Sequence, residues 1–190
     1  MNLILASQSP RRKALLEQLG IPFSVQVVPT KEEEHGEPLR VAKANATNKA
    51  VPVSRANPGS LVLGADTIVT LDGRILGKPK DAQDAHSMLR FLSGREHDVT
   101  TWVALSLNGQ VLRGFSETTV VQFRDLDDAE IRGYIATKEP FDKAGGYGIQ
   151  GYGALLVKSI KGCYYNVVGL PVASLAEHLR TFGIEVFPVA

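Results

Sequence analysis

Asn2-Leu3-Ile4-Leu5-Ala6-Ser7-Gln8-Ser9-Pro10-Arg11-Arg12-Lys13-Ala14-Leu15-Leu16-Glu17-Gln18-Leu19-Gly20 is the stretch that decides the architecture. Asn2–Ala6 is an apolar run too brief for a helix and stopped by polar residues, so it reads as a buried strand. Ser7–Pro10 turns the chain. Ser9 suits an N-cap and Pro10 the first helical position, while Leu15, Leu16 and Leu19 supply one apolar face that Gly20 ends. Strand, tight turn and helix in succession open an α/β fold.

Outward from there, residues 30–36 are a charged loop, and Leu39–Val51, rich in alanine and lysine, reads as a second helix. Pro52–Gly59 reads as linker. Ser60–Leu71 is strongly β-prone and is placed as a central strand, broken near Gly64-Ala65-Asp66. Asp81 caps a helix with Ala85, Met88, Leu89 and Leu92 on its apolar face, ended by Gly94. Val99–Leu107 and Val111–Phe123 flank Asn108-Gly109, a strong hairpin signal, so an antiparallel section follows the parallel one. Asp127 caps a helix through Ile131, Tyr134 and Ile135. Glu139–Gly153 reads as a long glycine-rich loop, Ala154–Ile160 as a strand, Pro171 as the opening of a last helix, and Ile184–Val189 as a closing strand. The expectation is one mixed α/β domain over residues 1–190, a largely central sheet flanked by helices, with two lobes around a deep cleft.

Composition narrows the function classes. Hydrophobic residues at 44% and charged residues at 22% are enough for a packed core and too little charge for a disordered chain. A formal net charge of +1, from 21 basic and 20 acidic side chains, leaves no global basic field to recommend nucleic acid or an acidic membrane. Any anion has to be held by a local cluster. Cys163 is the single cysteine, which excludes an intramolecular disulfide and nearly excludes a cysteine-built zinc site. The first residues lack the basic flank and apolar length of a signal peptide, and no apolar run approaches membrane-spanning length, so a cytoplasmic protein is expected.

Four stretches carry candidate chemistry. The turn Ser7-Gln8-Ser9-Pro10-Arg11-Arg12 aims free N–H groups and a helix N-terminus outward, a favourable place for an anion. Arg11 and Arg12 sit in the first helical turn, where a cation is disfavoured by roughly 0.3–1 kcal/mol each, so an anion there would offset them; the plain alternative is that both extend into water. Asp66 interrupts a run otherwise suited to a buried strand. A buried carboxylate costs several kcal/mol unless paired, hydrogen-bonded or metal-bound, although capping a neighbouring turn is a structural reason for it. Lys78 lies past the hairpin-like turn Asp72-Gly73, which can carry it back towards Asp66; the plainer alternative is a solvated loop lysine.

Glu32, Glu33 and Glu34 are either a solvated loop or the source of a carboxylate for a divalent ion shared with Asp66, and spacing does not choose among the three. Lys49 reads by itself as an exposed lysine favoured by a helix C-terminus. In the stretch Glu139–Gly151 the glycines let backbone approach a ligand, with Tyr147 able to stack and Gln150 to read a base edge; the competing view is a mobile, structureless loop. His35, His86, His97 and His178 have no metal-ligand spacing and are read as structural or surface residues.

In order along the chain, Ser7-x-Ser9-Pro10-Arg11-Arg12, Gly64-Ala65-Asp66-Thr67, Gly77-Lys78-Pro79, Leu92-Ser93-Gly94, Asp142-Lys143-Ala144-Gly145 and Gly148-Ile149-Gln150-Gly151 resemble the Maf family of nucleotide pyrophosphatases over nearly the whole sequence. The resemblance implies an architecture related to inosine triphosphate pyrophosphatases, a homodimer, and a divalent cofactor, Mg²⁺ or Mn²⁺. It implies Asp66 as proton acceptor, Ser7, Arg12 and Lys49 on the triphosphate, Glu32 with Asp66 on the metal, and Lys78 completing the site. Arg11, Thr67 and Gln150 match positions tied to substrate choice and, with Lys143 in its Asp-Lys-Ala-Gly pattern, look like the dTTP/UTP branch. The expected reaction is hydrolysis of a nucleoside triphosphate to monophosphate and pyrophosphate. Two rivals stand beside it: a pool-cleaning enzyme for modified nucleotides, and a nucleotide-binding regulator of cell division without catalysis.

Overall fold

The computed structural model describes residues 1–187. Strands β1 (Leu3–Leu5), β2 (Phe23–Val25) and β3 (Leu61–Leu71) run parallel, with β1 between the other two. Strands β4 (Arg74–Leu76), β5 (Glu96–Leu107), β6 (Gln110–Phe123) and β7 (Val157–Lys161) add antiparallel neighbours, giving one seven-stranded sheet in the order β2-β1-β3-β5-β6-β7 with β4 on the free side of β3. The helices are α1 (Pro10–Gln18), α2 (Pro38–Ala56), α3 (Ala82–Leu92), α4 (Asp128–Ala136), α5 (Tyr164–Val168) and α6 (Val172–Arg180). The mixed α/β expectation holds.

β3 and β5 are the spine, and their side chains change neighbourhood midway. Leu61, Leu63 and Ala65 of β3, with Val103 and Leu105 of β5, join one apolar cluster with α1 and α6. Val69 and Leu71, with Val99, join a second cluster with α3 and α4. Asp66 and Thr67 lie between the two, opposite Trp102 and Thr101. On that stretch β3 also lacks a neighbour on its other edge: β1 ends opposite Leu63, and the antiparallel β4 reaches only as far as Val69. The cleft opens there, beyond the carboxyl end of β1, where open α/β sheets place their ligands.

Several expectations need correction. β3 is unbroken at Gly64–Asp66, because each of these residues pairs with β5 and the ladder outweighs their weak strand preference. α2 runs through Pro52 to Ala56 instead of yielding to a linker at Pro52; Val53 and Ser54 behind it are fully buried, and that packing overrides the local cost of proline. The stretch from Glu139 is no structureless loop but a series of 3₁₀ turns (Glu139–Asp142, Ala144–Gly146, Gly151–Leu156), the last delaying β7 to Val157. Glu139 anchors this stretch by accepting the Tyr152 and Gly153 N–H groups. Ile184–Phe187 is not strand, and the rest of that expected strand lies outside the described residues. The short β2, β4 and α5 carry too few residues to display a period and were not foreseen.

Candidate active site

The turn after β1 forms as its residues dictate. Ser9 is extended at the N-cap and its Oγ accepts the Arg12 N–H, with Pro10 at the first helical position. The two arginines diverge. Arg12 is buried, with three partners: its Nε donates to the Gly169 carbonyl at 2.8 Å, its Nη1 to Ser7 Oγ at 3.2 Å and its Nη2 to Thr67 Oγ1 at 3.0 Å. Burial pulls the Arg12 guanidinium pKa below its ordinary value; the Asp66 charge opposes this and Arg11 adds to it. Arg11 points to the other side of the cleft and pairs with Asp142 at 3.1 Å. The solvated-arginine reading therefore fails for Arg12.

Asp66 is held from α2. Lys49 Nζ donates to its Oδ1 at 2.7 Å and Asn45 Nδ2 to its Oδ2 at 3.1 Å. Asn45 and Lys49 are four apart, so both leave one face of the helix. The helix sits close enough because it is lined by Ala42, Ala46 and Ala50, and because Gly64, two residues before Asp66 on the same face of β3, offers it no side chain. The aspartate is thus a clamped carboxylate and not a turn cap. Lys49, read from sequence as an exposed helix-end lysine, is instead mid-helix with a side chain only 15% exposed.

The same Lys49 ammonium lies 2.7 Å from Glu32 Oε1, and Lys78 Nζ is 3.8 Å from Glu32 Oε2. Burial pushes the Glu32 carboxyl up, but the Lys49 hydrogen bond and the charges of Lys49, Lys78 and Arg12 outweigh it and hold the group below its ordinary value. Of the three glutamates, then, Glu32 faces Asp66. Glu33 turns to Arg40 at 3.0 Å, while its backbone N–H and carbonyl are both taken by the Asn45 side chain. Lys78 arrives as the turn suggested: β4 folds back antiparallel on β3, with Leu76 opposite Val69.

Ser7, Arg11, Arg12, Glu32, Asn45, Lys49, Asp66, Thr67 and Lys78 line one cleft of about 1110 Å³, together with Lys143 and Gln150 from the 3₁₀ region. Lys143 Nζ is engaged within that region, donating to the Glu139 carbonyl and to Asp142, each at 2.6 Å. Tyr147 is not free to stack on a base; its ring is buried among Phe123 and His97 and its hydroxyl pairs with His97 Nε2 at 2.6 Å. Among the other histidines, His86 meets Asp128, His178 stacks on Phe115 and His35 is exposed, so none belongs to the cleft chemistry apart from the exposed rim position of His35.

Sequence reasoning gave no role to three contributors. The Gly169 carbonyl is a backbone atom and has no residue signature. Asp142 as partner of Arg11 depends on a separation of 131 positions. Asn45 had a readable signal, an amide one turn before Lys49 on an alanine-lined face.

The donor set accommodates a divalent cation. Glu32 and Asp66 converge on one point, now the Lys49 ammonium, and Mg²⁺ is commonly held by one or two carboxylates plus substrate phosphates. Among the described residues no group of three or more His, Cys, Asp or Glu side chains is placed for a metal. Two carboxylates alone would need further ligands from a bound molecule to complete such an ion's shell.

The "Maf-like protein" family model matches residues 2–182. A Bacillus cytotoxicus protein named dTTP/UTP pyrophosphatase is 52% identical over 181 residues, covering 94% of each chain. A Ruminiclostridium cellulolyticum protein of the same name is 48% identical over 185 residues, covering 94% of this chain and 95% of its own. A solved structure, the Ham1 protein of Staphylococcus aureus, superposes with a TM-score of 0.48 at 17% identity over 66% of this chain and 73% of that one.

Proposed function

The chain belongs to the Maf-like protein family, and on that premise we propose that it is a metal-dependent nucleoside triphosphate pyrophosphatase converting dTTP and UTP to their monophosphates and pyrophosphate. The observation that carries the reading is the convergence of Lys49, Glu32, Asp66 and Arg12 from four separate segments at one cleft floor. The relatives named dTTP/UTP pyrophosphatase supply the pyrimidine nucleotides.

The chemistry follows from the contacts. Each Asp66 oxygen accepts one donor from α2, which leaves lone pairs to orient a water and take its proton. The water oxygen bonds to the α-phosphorus, and the bond to the α–β bridging oxygen breaks, with that electron pair leaving on pyrophosphate. Charge spreads over phosphate oxygens, and Arg12, Lys49, Lys78 and Ser7 supply donors for it. Glu32 and Asp66 would hold Mg²⁺ or Mn²⁺, which when bound neutralises phosphate charge. Arg11, Thr67, Gln150 and Lys143, on the cleft wall, are assigned to nucleotide choice and grip. Product analysis tests the reading: dTTP must yield dTMP and pyrophosphate in equal amounts, and dTDP with inorganic phosphate would refute it.

A further inference from the structure

We propose that Thr101 and Asn166, neither of which lines the cleft, are positioning residues that fix the guanidinium of Arg12 through a chain of hydrogen bonds with a single direction. The proposal rests on the reading that Arg12 grips the triphosphate.

Thr67 Oγ1 accepts from Arg12 Nη2 at 3.0 Å and lies 2.9 Å from Thr101 Oγ1, a pair in which geometry alone allows either hydroxyl to donate. Thr101 Oγ1 is also 3.0 Å from the Asn166 carbonyl. A carbonyl can only accept, so the one proton of Thr101 is spent on Asn166. Thr67 must then donate to Thr101, and its oxygen faces Arg12, which can only donate. The order is therefore Arg12 to Thr67 to Thr101 to Asn166, with each hydroxyl accepting from one neighbour and donating to the next. Successive hydrogen bonds of this kind polarise one another in a dry site, and Thr101 and Asn166 are both fully buried.

The far end is rigidly held. The Asn166 side chain accepts the Thr101 N–H at 3.2 Å and donates to the Val99 carbonyl at 2.9 Å and to Thr119 Oγ1 at 3.0 Å, which ties α5 to β5 and β6. Three residues on, Gly169 ends the same helix, and its carbonyl accepts Arg12 Nε at 2.8 Å. Two of the three Arg12 side-chain bonds thus return to α5, one directly and one through two threonines. Thr67 gives its proton inward, so towards the cleft it offers an acceptor only.

The test compares dTTP hydrolysis by the full chain with Mg²⁺ for the wild type, Thr101→Val, Thr101→Ser and Arg12→Lys. Thr101→Val keeps the shape but removes the relay; loss of one hydrogen bond of this type is worth about tenfold, and it is expected as a rise in KM because the polyphosphate grip is what loosens. Thr101→Ser keeps the hydroxyl and should stay within about twofold of wild type. A purely structural role would lower kcat through a smaller folded fraction and leave KM unchanged. An unchanged KM in Thr101→Val, with a raised KM in Arg12→Lys, overturns the relay and spares the reading beneath it. An unchanged KM in Arg12→Lys overturns that reading, and the relay with it. Should Thr101→Val not fold, Thr101→Ala lacks the same hydroxyl and decides the question in its place.

Discussion

Replacing Gly64 by alanine tests whether the setting of the Asp66 carboxylate depends on how closely α2 lies against β3. The added methyl would stand 2.8 Å from the Ala50 side chain and 3.0 Å from its backbone nitrogen, and closer still to the Ala46 carbonyl. Carbon atoms prefer about 3.5–4.0 Å, so α2 has to recede by on the order of 1 Å. The neighbours are backbone and methyl groups with no rotamer to give, and overpacking of this kind costs about 1–3 kcal/mol. In a chain of this size each 1 kcal/mol moves Tm by about 2–4 °C. The same displacement carries Asn45 and Lys49 away from Asp66, whose bonds are 3.1 and 2.7 Å long, and a 1 Å misplacement of catalytic parts can cost about 10²-fold in rate. Thermal unfolding and kcat/KM for dTTP should therefore both fall. Gly133→Ala is the control: it lies exposed within α4 with open space at its Cβ, and it should raise stability by about 0.5–1 kcal/mol. A Gly64→Ala protein with wild-type Tm and wild-type kcat/KM would show that helix proximity does not set the site.

Asp66→Asn should fold, by circular dichroism, and lose about 10²- to 10⁴-fold in turnover, the usual effect of removing a general base; near-full turnover refutes its role. Chelation with EDTA should abolish dTTP hydrolysis and added Mg²⁺ or Mn²⁺ restore it, whereas hydrolysis that persists in EDTA removes the metal from the mechanism. Burial, opposed only in part by the Arg95 backbone, which favours the protonated ring, lowers His97 from 6.5 to about 4. The folded state thus disfavours the protonated ring, so this stabilisation is complete above pH 6.5 and drains as pH falls towards 4, by up to about 3 kcal/mol. Urea unfolding at pH 7.5 and 4.5 should show a larger acid loss in wild type than in His97→Gln, and equal losses would show that His97 does not drive it.

What the sequence determined by itself is local and periodic. The β1 turn and α1 follow from Ser9, Pro10 and the leucine spacing; the β5–β6 hairpin from Asn108-Gly109; and the caps of α3 and α4 from Asp81 and Asp127, each observed. These signals lie within a few residues of the structure they specify, so the chain displays them without folding. Asp66 was legible for a related reason, since a charge within an apolar run demands a partner wherever the fold puts it.

The tertiary structure decided who those partners are. That Glu32 rather than Glu33 or Glu34 meets Lys49, that Arg11 crosses to Asp142 while Arg12 turns inward, and that Tyr147 belongs to the core all depend on contacts between segments far apart in sequence. β3 stays whole through Gly64–Asp66 and α2 continues past Pro52 because pairing and burial outweigh local preference there. Such contacts form only when the sheet assembles: β3 outruns β1 before β4 begins, and the gap left along its edge is what lets a buried arginine, two lysines and two carboxylates meet at one place.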